Sequence, residues 1–156
     1  MAGQASAVNT LRTVSNWIGG KETESESTRF GAVFDSATGE QCASAVMSTE
    51  ADVDAAVSSA HAAFESWSNT SILKRARIMF KLQELIERDL EKIAAVITQE
   101  HGKVLHDAMG SVQRGLEVVE FACGIPHLIK GEYSDQVGGG VDTYSMRQPL
   151  GVCVGI

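Results

Sequence analysis

Three features of this chain could do chemistry: its thiols, one arginine set between glycines, and a lysine that follows a glycine. A thiolate attacks carbonyl carbon and can carry an acyl group, so cysteine is the first candidate nucleophile. Cys42, Cys123 and Cys153 are odd in number and widely spaced with no CxxC pair, which indicates neither a disulfide framework nor a zinc site. Cys123 falls on the packed face of a helical pattern and Cys153 in an apolar run, where a thiol is normally inert. Cys42 follows Gly39-Glu-Gln with no histidine or lysine near it in sequence to activate it. Structural roles are expected for all three; an independent thiol enzyme using Cys42 would instead show rapid selective labelling at neutral pH. His61, His101, His106 and His127 lack the i, i+4 spacing of a helical metal pair, so surface or capping roles are expected and no metal is assigned.

Gly102-Lys103 resembles the end of a phosphate loop, but Ile97 stands where the first glycine is needed and Val104 where Ser or Thr is needed. Gly102 is expected to terminate a helix. No G-x-G-x-x-G occurs, so the standard dinucleotide fingerprint is absent from these residues. Arg114 lies in Gly110-Ser-Val-Gln-Arg-Gly-Leu-Glu117. A guanidinium with small neighbours can be approached by a planar carboxylate in two-pronged fashion, and the alternative is a helix-surface pair with Glu117 at i+3.

The elements that must position these groups follow from pattern. Asn16-Trp-Ile-Gly-Gly20 reads as a strand entering a tight turn, and Arg29 to Phe34 and Gln41 to Met47 as strands around the turn Asp35-Ser-Ala-Thr-Gly39. Thr49 with Asp52 predicts a capped helix start, with Val53, Ala56, Val57, Ala60, Phe64 and Trp67 on one face. A second helix is predicted from about Ser71 to Arg88, and a third, capped by Asp89, carries Leu90, Ile93, Ala94 and Ile97 to a stop at Gly102. Lys103 to Gly131 is a long helical segment, bent or ended near Ile125 by Pro126. Its Gly110, Gly115 and Gly124 suggest close approach by another backbone or a ligand, since each costs roughly 1 kcal/mol against alanine in a helix interior. Glu132 to Gly140 reads as a loop, Val141 to Gln148 as a mixed polar strand, and Leu150 to Ile156 as a strand covered on both faces, as in parallel sheets. Such a strand needs neighbours, so the chain reads as the front part of a larger enzyme.

Composition excludes other classes. With 44% hydrophobic and 21% charged residues and a formal charge of −7, the chain is expected to be a globular protein with no nucleic acid and no anionic membrane as partner. No run approaches the ~18 apolar residues of a membrane span. Localisation in the cytoplasm is expected, or in the mitochondrial matrix after processing in a eukaryote.

Asn16-Trp-Ile-Gly-Gly20, Ala37-Thr-Gly-Glu40, Ala62-Ala-Phe64 to Trp67, Glu100-x-Gly-Lys103 and Pro149-Leu-Gly-Val-Cys153, in this order, resemble the amino-terminal part of the aldehyde dehydrogenase superfamily. Asp107 to Glu120, followed by Asp142-Thr-Tyr-Ser-Met-Arg147, is similar to the methylmalonate-semialdehyde dehydrogenase branch. The resemblance implies an α/β fold, present here as its incomplete amino-terminal part: a β-hairpin, a helical layer, a flap strand and the first strand of a variant Rossmann sheet. In these terms residues 1–15 are a flexible leader and 16–140 the first strands and helices of the cofactor domain. Residues 141–149 are an oligomerisation flap strand, and 150–156 the first strand of the truncated sheet.

The reaction implied begins with cysteine attack on a semialdehyde. Hydride transfer to NAD, loss of carbon dioxide and transfer to coenzyme A then give propionyl-CoA or acetyl-CoA. The resemblance assigns Arg114 to the substrate carboxylate. It places the nucleophile in a Gly-x-x-Cys segment downstream, so Cys42 is not carried over, and the Pro-Phe-Asn segment and the ribose-holding Lys and Glu are missing. No catalytic and no cofactor-binding residue is therefore assigned, NAD and coenzyme A are not expected to bind this chain alone, and the chain is expected to be inactive. The parent is expected to be a homo-oligomer acting on a small semialdehyde. A non-catalytic assembly module that joins dehydrogenase subunits is the alternative.

Overall fold

A computed structural model describes residues 11–156, in two compact units. One comprises the described residues up to Ser59 together with Gln99–Gly102; the other comprises Ala60–Thr98 and Lys103–Ile156. The first unit is β-rich. Strands β1 (Arg12–Val14), β2 (Asn16–Ile18), β3 (Lys21–Thr23), β4 (Phe30–Phe34) and β5 (Gln41–Val46) precede α1 (Glu50–Ser68). β2 and β3 form a hairpin, Ile18 opposite Lys21, around Gly19 and Gly20 at φ +62° and +79°, the left-handed pair that a two-residue hairpin turn requires. β4 and β5 are antiparallel around the expected turn, where Asp35 Oδ1 accepts the amide protons of Ala37 (2.8 Å) and Thr38 (3.2 Å).

The leader expected to run through residue 15 is corrected in its last part: β1 pairs in parallel with β5, Val14 opposite Ala45, giving the order β1-β5-β4. Three residues are too short for an alternation to register, and they form a strand because β5 offers them an open edge. Residues 1–10 lie outside the described part. The capping box at α1 forms as expected: the Thr49 amide donates to Asp52 Oδ2 (2.6 Å), and the Asp52 amide donates to Thr49 Oγ1 (3.3 Å). Ser25 Oγ also donates to this carboxylate (2.7 Å), and that bond, with those from Thr49, holds the Asp52 pKa below its ordinary value.

The second unit is mainly helical. The two helices expected around Asp89 are one, α2 (Ile72–His101). No Gly or Pro interrupts this stretch, and Asp89 accepts from Arg88 Nε (3.1 Å) and Lys92 Nζ (3.0 Å) instead of capping a new start. Gly102, at φ +80°, ends it as expected. α3 (Leu105–Cys123) and the single turn α4 (Ile125–Leu128) follow, with Gly124 as the C-cap of α3 and Pro126 in the first turn of α4. Ala94 and Ala108 are fully buried, and with Val112 they form a core flanked by Ile86, Leu90, Ile97 and Met109. Ala94 from α2 and Ala108 and Val112 from α3 make this contact with small side chains.

Glu132 to Gly140 is not a loop. β6 (Tyr133–Gly138) pairs with β7 (Val141–Tyr144), Tyr133 opposite Tyr144, around Gly139 and Gly140. Asp142 builds the irregular part: its Oδ1 accepts the amide of Gln136 (2.9 Å), a residue at φ +52°, and its Oδ2 accepts the Tyr133 hydroxyl proton (2.7 Å). These bonds, the Gln136 amide first, lower the Asp142 pKa; the same carboxylate raises that of Tyr133. The strand expected over Val141 to Gln148 forms over Val141–Tyr144.

Residues 150–156 carry no strand, and Leu150 and Val154 are 94% and 82% exposed. A strand exists only with a partner, and none of the described residues pairs with this run. Among the described residues no large side chain is fully buried, and no helix is long and apolar enough to cross a membrane.

Candidate anion-binding site on the glycine-bearing helix

Lys103, Asp107, Ser111 and Arg114 follow one another at spacings of four, four and three, which brings them to one side of α3 and the turn before it. Ser111 joins them. Its Oγ accepts from Lys103 Nζ at 2.8 Å and from Arg114 Nη2 at 3.3 Å, and donates to the Asp107 carbonyl at 3.4 Å. Lys103 and Ser111 are half-buried and Arg114 is exposed.

The alternative pairing of Arg114 with Glu117 does not form. The ion pairs among the described residues are Lys81–Glu84, Arg88–Asp89 and Lys92–Asp89, all on α2. At the glycines beside Arg114 the described residues supply no backbone for the close approach expected there, and the ligand alternative stays open. A Cβ added at Gly115 meets nothing within 4 Å, and one at Gly110 meets only Arg114 Nη1, at 4.0 Å, so no described backbone packs against either. What they provide is an unobstructed flank to the guanidinium. A carboxylate arriving there meets paired planar donors that no acid among the described residues engages in an ion pair.

The thiols hydrogen-bond to other groups. Cys42 is half-buried in β5 with its Sγ 3.5 Å from the Val33 carbonyl oxygen, and Cys123 is buried with its Sγ 3.8 Å from Gln83 Oε1. Cys153, expected in a covered strand, is exposed, because that strand does not form among these residues. Among the described residues no group of three or more His, Cys, Asp and Glu side chains could hold a metal ion. β5 passes to α1 through Met47, Ser48 and Thr49, without glycine, and Gly139-Gly140 turns a hairpin.

The model of the Aldehyde dehydrogenase family matches residues 22–156. The chain belongs to the aldehyde dehydrogenase family. Within that family it is 50% identical over 143 residues to the mitochondrial methylmalonate-semialdehyde dehydrogenase [acylating] of Arabidopsis thaliana, covering 92% of this chain and 24% of that protein. It is 46% identical over 149 residues to malonate-semialdehyde dehydrogenase 2 of Bacillus thuringiensis (strain Al Hakam), covering 96% and 31%. A Sinorhizobium meliloti 1021 protein assigned as a methylmalonate-semialdehyde dehydrogenase and solved with NAD superposes with a TM-score of 0.88 at 40% identity, over 92% of this chain and 29% of that one.

The expected α/β architecture is therefore that of the aldehyde dehydrogenase fold, of which the chain holds the amino-terminal part. It spans about a quarter to a third of the length of the curated aldehyde dehydrogenases it matches. In this family setting the pattern missed from sequence is the link from Lys103 to Ser111. The spacing of four, four and three carries it, whereas the letters around Lys103 point to a phosphate loop and to the Glu100-x-Gly-Lys103 motif.

Proposed function

We propose that the whole protein is an NAD-dependent, coenzyme A-acylating dehydrogenase of methylmalonate or malonate semialdehyde, and that Arg114 holds the substrate's carboxylate. The observation that carries the assignment is the exposed Arg114 guanidinium, tethered by Ser111, flanked by Gly110 and Gly115 and without a carboxylate partner among the described residues. An arginine kept free of internal acids has its paired donors available to a planar anion, and a semialdehyde of this class carries one at the end opposite its reacting carbonyl. The names of the Arabidopsis and Bacillus relatives support the substrate class. Oxidation and acyl transfer belong to residues outside those described, with NAD as hydride acceptor and coenzyme A as acyl acceptor, and Leu150 to Ile156 becomes the first strand of the cofactor sheet when partner strands flank it. The protein acts as a homo-oligomer in the cytoplasm, or in the mitochondrial matrix if its source is eukaryotic.

The experiment is to read the gene past codon 156, express the complete product and follow NADH at 340 nm with malonate semialdehyde and coenzyme A. Turnover that Arg114→Met weakens through KM for the semialdehyde, leaving propanal oxidation intact, supports the reading. Equal use of both aldehydes by the unmodified enzyme refutes it. The 156-residue chain alone is expected to form no NADH, and robust turnover by chain free of the full-length enzyme rejects that part.

A second reading is favoured by the β6–β7 hairpin, exposed along both strands with Tyr133, Val137, Val141 and Tyr144 uncovered. In it the chain is a non-catalytic assembly module for dehydrogenase subunits. Co-elution with an intact dehydrogenase on size exclusion, together with a frame that closes at codon 156, would select it.

A further inference from the structure

We propose that Lys103 is a second cation of the carboxylate site that Arg114 begins, with Ser111 holding the two in register; this rests on the role given to Arg114 above. A serine hydroxyl has two acceptor lone pairs and one proton. Here both lone pairs are taken, by Lys103 Nζ at 2.8 Å and Arg114 Nη2 at 3.3 Å, and the proton goes to the Asp107 carbonyl at 3.4 Å. The hydroxyl is fully committed, and it fixes the distance between two positive groups without neutralising either. An ammonium has three donors and a guanidinium five, so most of their capacity stays open.

Lys81 and Lys92, in the same unit, behave differently. Lys81 and Lys92 have side chains 59% and 83% exposed and pair with Glu84 and Asp89 one turn away, the ordinary arrangement of a solvated helix cation. Lys103 is half-buried, reaches eight residues along the chain to Ser111, and has no acid partner among the described residues. Two like charges on one neutral oxygen repel each other, and a carboxylate placed beside them attracts both. The pair therefore favours the anionic end of a semialdehyde over an aldehyde that ends in a methyl group. Lys103 acts on affinity for that anion, not on the reacting carbonyl.

The test uses the full-length dehydrogenase with malonate semialdehyde and propanal as paired substrates. Lys103→Met, which keeps the apolar stem, should raise KM for the semialdehyde about tenfold with kcat nearly unchanged, the scale of one partly screened charge contact. KM for propanal and for coenzyme A should not move, and Lys103→Arg should restore most of the loss. If Lys103→Met leaves the semialdehyde KM unchanged, or moves both aldehydes equally, while Arg114→Met still discriminates between them, the inference is overturned and the Arg114 assignment stands. A change confined to KM for coenzyme A also overturns it, since the anion held is then a phosphate. If Arg114→Met fails to discriminate as well, the site assignment itself falls.

Discussion

Replacing Gly115 by alanine tests what the glycines of α3 are for. The position is exposed in a helix interior, its φ is not in the left-handed region, and an added Cβ meets nothing within 4 Å. With no contact to oppose it, the substitution should return the helix-propensity difference between glycine and alanine, about 0.8–1.0 kcal/mol. For a chain of this size a stabilisation of that order raises Tm by roughly 2–4 °C. The assay is a far-UV circular dichroism melt of the chain at low micromolar concentration, beside Gly110→Ala, whose added Cβ meets only Arg114 Nη1 at an ordinary 4.0 Å and should behave alike. A fall in Tm for Gly115→Ala refutes the reasoning, because it requires an atom in contact with that flank. The same substitution in the full-length enzyme then reads the surroundings of α3. If further polypeptide packs against Gly115 there, alanine lowers the melting point in the enzyme while raising it in the chain.

Gly102→Ala should have the opposite sign in the chain: φ is +80° and the new Cβ would lie 3.4 Å from Ser36 Cβ and 3.5 Å from the Ala37 amide nitrogen. A left-handed alanine costs about 1–2 kcal/mol, hence a Tm lower by roughly 2–8 °C, and an unchanged melt rejects the assigned helix terminus. Gly131→Ala places a Cβ on the Ser145 carbonyl and should separate Glu132 from Ser145, whose backbone bond is 2.8 Å. Cross-strand nuclear Overhauser contacts between Tyr133 and Tyr144 should vanish while those of Ala94 and Ala108 persist; intact hairpin contacts contradict the geometry. The pH dependence of α2 turns on Asp89, whose pKa is lowered to about 2 by the hydrogen bond from Arg88 and then by Lys92. A depressed carboxylate stabilises the fold above its unfolded pKa and loses that contribution as pH falls through the folded one, so local helix protection should decline between about pH 4 and pH 2. A carboxyl carbon titration with its midpoint at the ordinary 3.8 would show the pair to be absent in solution.

Elements whose signals are local were legible in the sequence. The Gly19-Gly20 turn, the Asp35 turn and the Thr49–Asp52 box each form through residues within a few positions of one another, and each stands where it was expected. The errors share a physical cause, which is that their determinants are distant or relative. Asp89 has the composition of a cap, but capping competes with ion pairing inside a helix that nothing else interrupts, and two cations within one turn decide the outcome. β1 exists because β5 has an edge some thirty residues away, which no pattern in Arg-Thr-Val reveals. β6 was hidden by its glycine-rich end, and the carboxylate that orders its irregular turn sits on the opposite strand.

The candidate site divides in the same way. Arg114 stood out because small residues flank it, a property of neighbouring letters, whereas the partner of Lys103 depends on how the turn before α3 directs a long side chain onto Ser111. The Gly-Lys pair that fails as a phosphate loop still places a cation next to the helix that carries the arginine. Gly102 must end α2 in a left-handed turn for that to happen, and this connects helix termination to ligand charge: the residue that stops one helix sets where the next residue's ammonium can reach. The same geometry explains why neither cation needs an internal acid. Ser111 orders both through a neutral oxygen, while a Glu or Asp in its place would neutralise them and, on the proposed reading, compete with the substrate carboxylate for the same donors.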